Sequence, residues 1–338
     1  MRGGGRAVAS ILVAAAIGVP TACRARRHEP GPSLRKVRVA YLPFLSYAPV
    51  LIGAAEGCFR EQGLEVELVN VPSTDSVAAL VRGDVDAATS FLYTGFFNAI
   101  ARGGRIRIVA DKGHAEPGAC ASDGLIARSG LEPTEKADWL RGRSLAFRPS
   151  SIEEFWIERY LSSAGLSWND VVIKAIPASA KLDALASGAI DAAAWSEPSI
   201  TLARQRGVAS LAASVASTVA NLQWAYLAFG RRLLDEDRET GRRLVVAYLK
   251  SVRQYNRGKT DRNVAILADA TGVSADVVRE SCWISIHDDG TIDVGSVVEF
   301  ESWAKGRGLL DEVLPPESFW EPAFIEAAVP SLSEQAGR

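Results

Sequence analysis

Side chains that could recognise a small solute cluster in five short segments, each at the end of a predicted strand or the start of a predicted helix. These segments span 43–48, 72–75, 91–94, 149–151 and 195–197. In open α/β sheets, ligands bind at the carboxyl ends of strands, beside free helix N-termini. The candidate ligand-binding residues are therefore Phe44, Ser46, Tyr47, Ser73, Thr74, Phe91, Tyr93, Thr94, Ser150, Ser151, Trp195 and Glu197.

The pair Trp195 and Glu197 gives the clearest indication of ligand chemistry. A tryptophan stacks on flat or apolar solutes, and a carboxylate binds a cation or an N–H donor. In the structural alternative, Trp195 lies in the core and Glu197 only caps a helix that starts at Pro198. Both interpretations fit the sequence.

Charge balance around the segments bears on the class of solute. Ser150 and Ser151 precede a predicted helix, whose free N–H groups and the serine hydroxyls suit an anion. Glu153 and Glu154 follow at once, complement the helix dipole themselves and repel an anion. Arg148 is the only basic residue beside these segments. The balance favours a neutral or cationic nitrogen heterocycle, such as a pyrimidine, over an oxyanion.

At several positions an ordinary structural role is the alternative to ligand binding. Ser73 and Thr74 are suitable N-cap residues, and the loop around Phe44 could pack on its own sheet. We expect His114, at the end of a predicted strand, to be solvated. The three histidines are far apart in sequence and make no metal signature. The sequence has no nucleophile elbow, phosphate loop or metal-ligand spacing, so we expect no catalytic residue, no metal and no cofactor.

Two of the five segments follow copies of one motif. Residues 76–88 read SVAALVRGDVDAA and residues 181–193 read KLDALASGAIDAA, which aligns Gly83 with Gly188 and Asp86 with Asp191. Each copy predicts a short helix, a glycine C-cap, a tight turn and a buried strand. A spacing of 105 residues is typical of two α/β lobes and too long for a solenoid repeat. We expect both aspartates to serve the turn, and the two strand ends to face each other across a cleft.

Hydrophobic periodicity places the segments in a two-lobed α/β body. Residues 37–112 read as alternating strands and helices, which implies a largely parallel sheet covered on both faces. Beyond residue 230 the pattern is helical. We expect lobe 1 at 37–123 and 230–330, lobe 2 at 130–223, and hinges near 124–129 and 224–229.

The N-terminus predicts export. Two arginines precede a thirteen-residue apolar stretch that is too short to span a bilayer comfortably. Small residues then precede Cys23, as in a bacterial lipoprotein signal, with Pro20 in place of the usual aliphatic residue. We expect a signal at 1–23, lipidation of Cys23 and a flexible tether at 24–36. An ordinary cleaved signal is the alternative.

Cysteine usage bears on whether a disulfide forms, and net charge bears on the class of binding partner. Cys58, Cys120 and Cys282 remain beyond Cys23, so one disulfide is possible, and no spacing favours a particular pair. Cys58 lies in a helical pattern and is expected to be a small buried apolar residue. A formal net charge of −2 disfavours nucleic acid as a partner.

Four stretches resemble one protein family. They are VRVAYLPFLSYAPVLIGAAEGCFREQGLEVEL, ALVRGDVDAA, RIRIVADKG with GLIARSG after it, and ALASGAIDAAAWSEP. Together they are similar to the solute-binding proteins of ABC importers with the type II periplasmic-binding fold, in the nitrate/sulfonate/taurine and thiamine-precursor branch. The resemblance implies a bilobed α/β fold: two mixed sheets with flanking helices, two hinge crossovers and a helical C-terminal tail. It also places Phe44, Ser46 and Tyr47 in the family's first ligand loop.

The resemblance implies a function as well. The chain would be the extracytoplasmic subunit that captures a small organic solute, pyrimidine-like or sulfonate-like, by hinge closure. Its partners would be that solute and the importer's permease and ATPase subunits, and only the lipid anchor would contact the membrane. We expect a monomer. Two alternatives stay open: an enzyme of the same fold, biosynthetic or desulfinase-like, and an exported ligand sensor.

Overall fold

The computed structural model describes Met1 and residues 34–336. The rest of the predicted signal, with Cys23, and most of the predicted tether therefore lie outside the described residues. The chain from Leu34 onward forms one unit. Its first strand begins at Arg35, which places Arg35 and Lys36 in the sheet and not in the tether. In the described part of the chain, no helix has both the length and the apolar character needed to cross a membrane.

The described strands form two five-stranded sheets. In chain order they are β1 (Arg35–Tyr41), β2 (Leu64–Asn70), β3 (Ala87–Phe91), β4 (Arg107–His114), β5 (Asp123–Arg128), β6 (Ser144–Ala146), β7 (Val172–Ile173), β8 (Ala192–Ser196), β9 (Ala209–Ser214) and β10 (Gln223–Phe229). The lobe 1 sheet has the order β2-β1-β3-β10-β4, and the lobe 2 sheet has the order β7-β6-β8-β5-β9. The expected fold class, two mixed sheets with flanking helices, is confirmed.

Helices cover the sheets and form the C-terminal region. They are α1 (Ala48–Ala55), α2 (Cys58–Glu61), α3 (Ser73–Arg82), α4 (Thr94–Ala101), α5 (Ile152–Ser162), α6 (Lys181–Ala186), α7 (Ser199–Gln205), α8 (Val215–Thr218), α9 (Arg238–Tyr255), α10 (Asp261–Thr271), α11 (Ala275–Glu280), α12 (Val294–Gly306), α13 (Pro316–Phe319) and α14 (Ala323–Ala336). Short 3₁₀ turns lie at Leu45–Tyr47, Ala137–Leu140, Trp168–Asp170 and Ala178–Ala180, and a π-helical turn at Arg232–Glu236.

The chain passes between the sheets earlier than the sequence suggested. The crossings are the segments 115–122, between β4 and β5, and 215–222, between β9 and β10. The predicted hinges fall instead on β5 and β10, each of which pairs antiparallel with a strand on either side. Short apolar runs such as GLIAR and AYLAF look like extended linkers, but burial in the middle of a sheet explains their composition equally well.

The two motif copies form equivalent structures. Gly83 and Gly188 adopt left-handed φ values of 78° and 74°, which a residue with a Cβ rarely adopts. Asp86 accepts a hydrogen bond from the N–H of Arg38 on β1 (2.8 Å). Likewise, Asp191 accepts one from the N–H of Ser144 on β6 (2.9 Å). Each aspartate therefore fastens its turn to the neighbouring strand, which is a structural role.

Helix α5 of lobe 2 packs against α12 of the C-terminal region. The ring of Phe155 lies 6.1 Å from that of Phe300 and 5.6 Å from that of Trp303, centroid to centroid. Arg307 adds ion pairs to two glutamates of α5, at 3.1 Å and 2.8 Å. This contact joins the N-terminal half of α5 to the C-terminal region.

Candidate functional site

A pocket of about 530 Å³, including its open mouth, lies between the two sheets. Lobe 1 contributes Leu42, Phe44, Ser46, Ser73 and Phe91; lobe 2 contributes Arg148, Glu153, Ala178, Lys181, Trp195, Ser196, Glu197 and Ser199. Both walls come from strand ends and from the helices that follow, where the topology of an open α/β sheet places ligands. Six of the twelve candidate residues meet here: Phe44, Ser46, Ser73, Phe91, Trp195 and Glu197.

Tyr47 lies directly behind this wall. Its side chain is buried, and its hydroxyl shares a 3.0 Å hydrogen bond with the Ser73 hydroxyl. Its ring meets that of Phe91 edge-on, with 6.4 Å between centroids. Burial raises the pKa of Tyr47 to about 12, so the phenol stays neutral near pH 7. Tyr47 therefore positions Ser73 and Phe91.

Four candidates contact one another across the boundary between the lobes and do not line the pocket: Tyr93, Thr94, Ser150 and Ser151. The N–H of Thr94 donates to the carbonyl of Ser150 (3.0 Å), and Tyr93 and Ser151 form an isolated antiparallel bridge. Ser150 has a positive φ of 56°, an uncommon conformation for a residue other than glycine. The remaining candidate, Thr74, is exposed, and its carbonyl accepts a hydrogen bond from the Tyr93 hydroxyl (3.3 Å).

The N-terminus of α5 is occupied by side chains of its own segment. The hydroxyl of Ser151 accepts from the N–H of Glu153 (3.2 Å). The carboxylates of Glu153 and Glu154 accept from the N–H groups of Arg148 (2.8 Å) and Ser150 (2.6 Å). An anion at this helix start would compete with two carboxylates, as the sequence indicated.

Glu197 is buried, and its carboxylate accepts three hydrogen bonds from other parts of the protein. One carboxylate oxygen accepts from the N–H of Thr201 (2.9 Å). The other accepts from the Thr201 hydroxyl (2.9 Å) and from the N–H of Cys282 (3.2 Å). Burial raises the pKa of Glu197, and the hydrogen bonds from Thr201 oppose that rise. The geometry therefore matches the helix-capping alternative for Glu197, whereas the half-buried Trp195 is on the pocket wall and not in the core.

The pocket lining is more basic than the sequence indicated, because Lys181 joins Arg148 opposite Glu153 and Glu197. The guanidinium of Arg148 lies 3.3 Å from the Glu153 carboxylate and 5.2 Å from the ring centroid of Phe91. Lys181 lines the pocket and donates to the carbonyl of Ala194 (2.8 Å). Lys112 lies behind the wall, over the ring of Phe91. Neither lysine was among the candidates predicted from the sequence, although a lysine inside the apolar strand β4 was a usable signal.

A second polar cluster lies at the end of β4 and corrects the expectation for His114. His114 is buried, stacks on His287 with 3.8 Å between ring centroids, and contacts the Asp111 carboxylate through Nδ1 (2.8 Å). The same carboxylate accepts from the N–H groups of Gly113 (2.6 Å) and His287 (2.9 Å) and from the Gln223 amide (2.8 Å).

This histidine cluster could in principle hold a metal ion, since Asp111, His114 and His287 place one ligand atom each within 4.8 Å of the others. Those atoms are engaged in hydrogen bonds with one another and with backbone groups. A metal would have to displace these bonds, so the contacts fit a hydrogen-bonded structural cluster.

The cysteines pair in a way that the sequence did not reveal. Cys120, in the first crossing, forms a disulfide with Cys282, which follows α11. Cys58 is free and buried, as expected. The disulfide lies near the pocket because the N–H of Cys282 donates to Glu197.

Comparison with solved structures identifies proteins of the same fold. The ligand-binding component of an ABC-type import system from Staphylococcus aureus, with zinc bound, is 18% identical; the match covers 87% of this chain and 99% of that one, with a TM-score of 0.75. The alkanesulfonate-binding protein SsuA from Xanthomonas axonopodis pv. citri, bound to MOPS, is 18% identical over 84% and 98%, with a TM-score of 0.67. The desulfurization enzyme DszB is 16% identical over 88% and 99%, with a TM-score of 0.65.

These likenesses establish the fold and include both binding proteins and an enzyme. A search of curated proteins found no match. A protein-family model does match, over residues 30–269, which is more than half of the chain. The chain belongs to the NMT1-like family.

Proposed function

We propose that this protein is the extracytoplasmic solute-binding subunit of an ABC importer and releases its solute chemically unchanged. The observation that carries the proposal is the pocket between the sheets, with Phe91, which follows one motif copy, and Trp195, which follows the other, in its walls. A pocket formed by strand ends of two lobes is a common position for a small-molecule site. Opening and closing about the crossings 115–122 and 215–222 would admit and hold it.

Export to an oxidising compartment fits the same proposal. The Cys120–Cys282 disulfide is of the kind that persists outside the cytosol. The signal segment and lipidation at Cys23 remain predictions from the sequence. The permease and ATPase partners are proposed by analogy with the import component that shares this fold.

Solute binding is tested by thermal unfolding of the purified protein with a panel of sulfonates, nitrate, pyrimidines, amines and aromatic acids. A true ligand at about 100 times its Kd should stabilise the native state by about 2.7 kcal/mol and raise Tm by roughly 4 °C. Mass spectrometry of the recovered compound then separates binding from turnover. A chemically altered compound would contradict the proposal and favour an enzyme.

Replacing Trp195 with alanine tests the location of the pocket. The indole forms part of the wall, so its loss should weaken solute binding by about 10- to 100-fold while the protein stays folded. The matched control is Trp168→Ala, which removes another half-buried tryptophan of lobe 2 outside the pocket. Equal Kd values for wild type and Trp195→Ala, measured by calorimetry, would show that the solute binds elsewhere.

A further inference from the structure

The loop after β3 in lobe 1 and the loop before α5 in lobe 2 pair through their backbones. The N–H of Thr94 donates to the carbonyl of Ser150 (3.0 Å), and the N–H of Ile152 donates to the carbonyl of Leu92 (2.9 Å). This interlobe junction comprises residues 92–94 and 150–152. The side chains of Leu92 and Ile152 are fully buried. Separating the lobes here would break two backbone hydrogen bonds and expose apolar surface to water.

Ser150 is held in its conformation by contacts from outside lobe 2. Its φ of 56° is uncommon for a residue other than glycine and persists only where the surroundings hold it. Its N–H donates to the carboxylate of Glu154 (2.6 Å), which pairs with Arg307 of the C-terminal region (3.1 Å). Its carbonyl accepts from Thr94 of lobe 1. The geometry of the junction therefore depends on lobe 1 and on the C-terminal region together.

A continuous apolar core extends from α5 into lobe 1. The ring of Phe155 on α5 lies 6.1 Å from that of Phe300 on α12, centroid to centroid. The ring of Phe300 in turn lies 6.0 Å from that of Phe97 on α4. All three side chains are at most 1% exposed and belong to one core cluster, which also includes Trp156. Helix α5 is thus packed into a core that it shares with lobe 1, and moving it away would expose these rings to water.

Helices α6 and α7 pack instead on a separate core within lobe 2. That core consists of Ile126, Ala146, Leu185, Ile190, Ala193, Ile200, Ala203 and Ala209. The polar contacts described between the α7 segment and the C-terminal region are exposed ion-pair contacts of Glu280, such as the one with Arg204 (3.2 Å), and the hydrogen bond from the Cys282 N–H to Glu197 (3.2 Å). Exposed ion pairs add little to stability. Lobe 2 is therefore fastened firmly through α5 and weakly through α7.

The pocket extends from the junction to the solvent. Phe91, Arg148 and Glu153 line it and are close neighbours of the junction in the chain. The exposed lining residues are Phe44 of lobe 1 and Ala178 of lobe 2, which mark the mouth. Ala178 directly precedes α6, so movement of α6 would change the width of the mouth.

We propose that the interlobe junction stays closed when the pocket opens, and that the part of lobe 2 built on α6 and α7 moves instead. The solute then enters between Phe44 and Ala178. The inference rests on the proposed function and adds a third, non-covalent connection to the two crossings 115–122 and 215–222. Separation of the lobes along their whole boundary is the alternative, and it would break the junction in every cycle of binding and release.

Hydrogen exchange of the purified, ligand-free full chain tests the inference without any solute. The amide protons of Thr94 and Ile152 should be as strongly protected as that of Ala228, which is buried in the middle of β10 and exchanges only on global unfolding. The amide proton of Cys282 should be at least about tenfold less protected, because the contact with Glu197 breaks when the pocket opens. Equal protection of Thr94, Ile152 and Cys282 would overturn the inference.

Two crosslinks extend the same measurement. Tyr93 and Ser151 are partners in an antiparallel bridge, at a spacing where two cysteines can form a disulfide. Oxidised Tyr93→Cys/Ser151→Cys should leave the protection of Cys282 as it is in the two single variants. Arg204→Cys/Glu280→Cys, joined by a short bismaleimide, should raise the protection of Cys282 by at least about tenfold, and its single variants should not.

The outcomes separate the two motions. Higher protection of Cys282 in the disulfide-linked junction variant would show that opening passes through the junction and would overturn the inference. Unchanged protection in the bismaleimide-linked variant would do the same. If a crosslinked variant does not fold, the wild-type protection factors decide. Failure of every solute in the panel to bind contradicts the proposed function and leaves these protection factors unchanged, so the two failures are distinguishable.

Discussion

Removing the Cys120–Cys282 disulfide is expected to lower the free energy of unfolding by about 4 kcal/mol. The two cysteines are 162 residues apart in sequence, so the crosslink closes a very long loop in the unfolded chain. In the chain-entropy description, the stabilisation grows with the logarithm of loop length and exceeds 4 kcal/mol for loops above about 100 residues. The measurement is denaturant unfolding of Cys120→Ser/Cys282→Ser beside the oxidised wild type.

The position of the disulfide adds a local effect to the entropic one. Cys120 belongs to the first crossing between the sheets, and the N–H of Cys282 holds the Glu197 carboxylate at the pocket. We therefore expect the double variant to bind its solute more weakly as well. A reducing agent should shift the wild type toward the variant and leave the variant unchanged. Equal midpoints for the oxidised wild type and the variant would contradict the prediction.

Local sequence signals predicted the fold well. The glycine and aspartate of each motif copy predict a turn, and Gly83 and Gly188 adopt the same left-handed conformation. Strand ends are equally visible, which is why Phe91 and Trp195 could be assigned to facing walls. What local patterns do not contain is the insertion of β10 between β3 and β4, since that pairing joins residues more than 100 positions apart.

The missed features all depend on contacts between distant segments. Lys112 gains its environment from Tyr47 and Phe91, and the cysteine pair joins the first crossing to the C-terminal region. Polar side chains at strand ends served as candidates for the ligand, yet several of them, such as Thr94 and Ser150, hold the lobes together through their backbone. The residue type at such a position does not show whether the side chain or the backbone makes the contact.

Replacing Asp111 with asparagine is expected to lower the free energy of unfolding by about 3–5 kcal/mol, because it removes a buried charge that several donors share. The carboxylate is fully buried and accepts from His114, His287, Gly113 and Gln223. An asparagine would turn an N–H₂ group toward some of these donors. Chemical denaturation measures the loss, and the exposed Asp84→Asn, which loses only an ion pair with Arg82, should change stability by less than about 0.5 kcal/mol.

The pH dependence of this loss distinguishes a charged cluster from simple packing. Burial alone would raise the pKa of Asp111, but the hydrogen bonds from His114 and His287 outweigh it and hold the pKa below its usual value. A lowered carboxyl pKa stabilises the fold above the unfolded value of about 3.9 and ceases to do so as the pH falls. The hydrogen bond to Asp111 raises the pKa of His287, and that stabilisation is complete below about pH 6.5 and is lost as the pH rises. The stability difference between wild type and Asp111→Asn should therefore be largest between about pH 4 and 6.5. A difference that stays constant from pH 3 to 9 would show that Asp111 contributes shape and neutral hydrogen bonds but no charge.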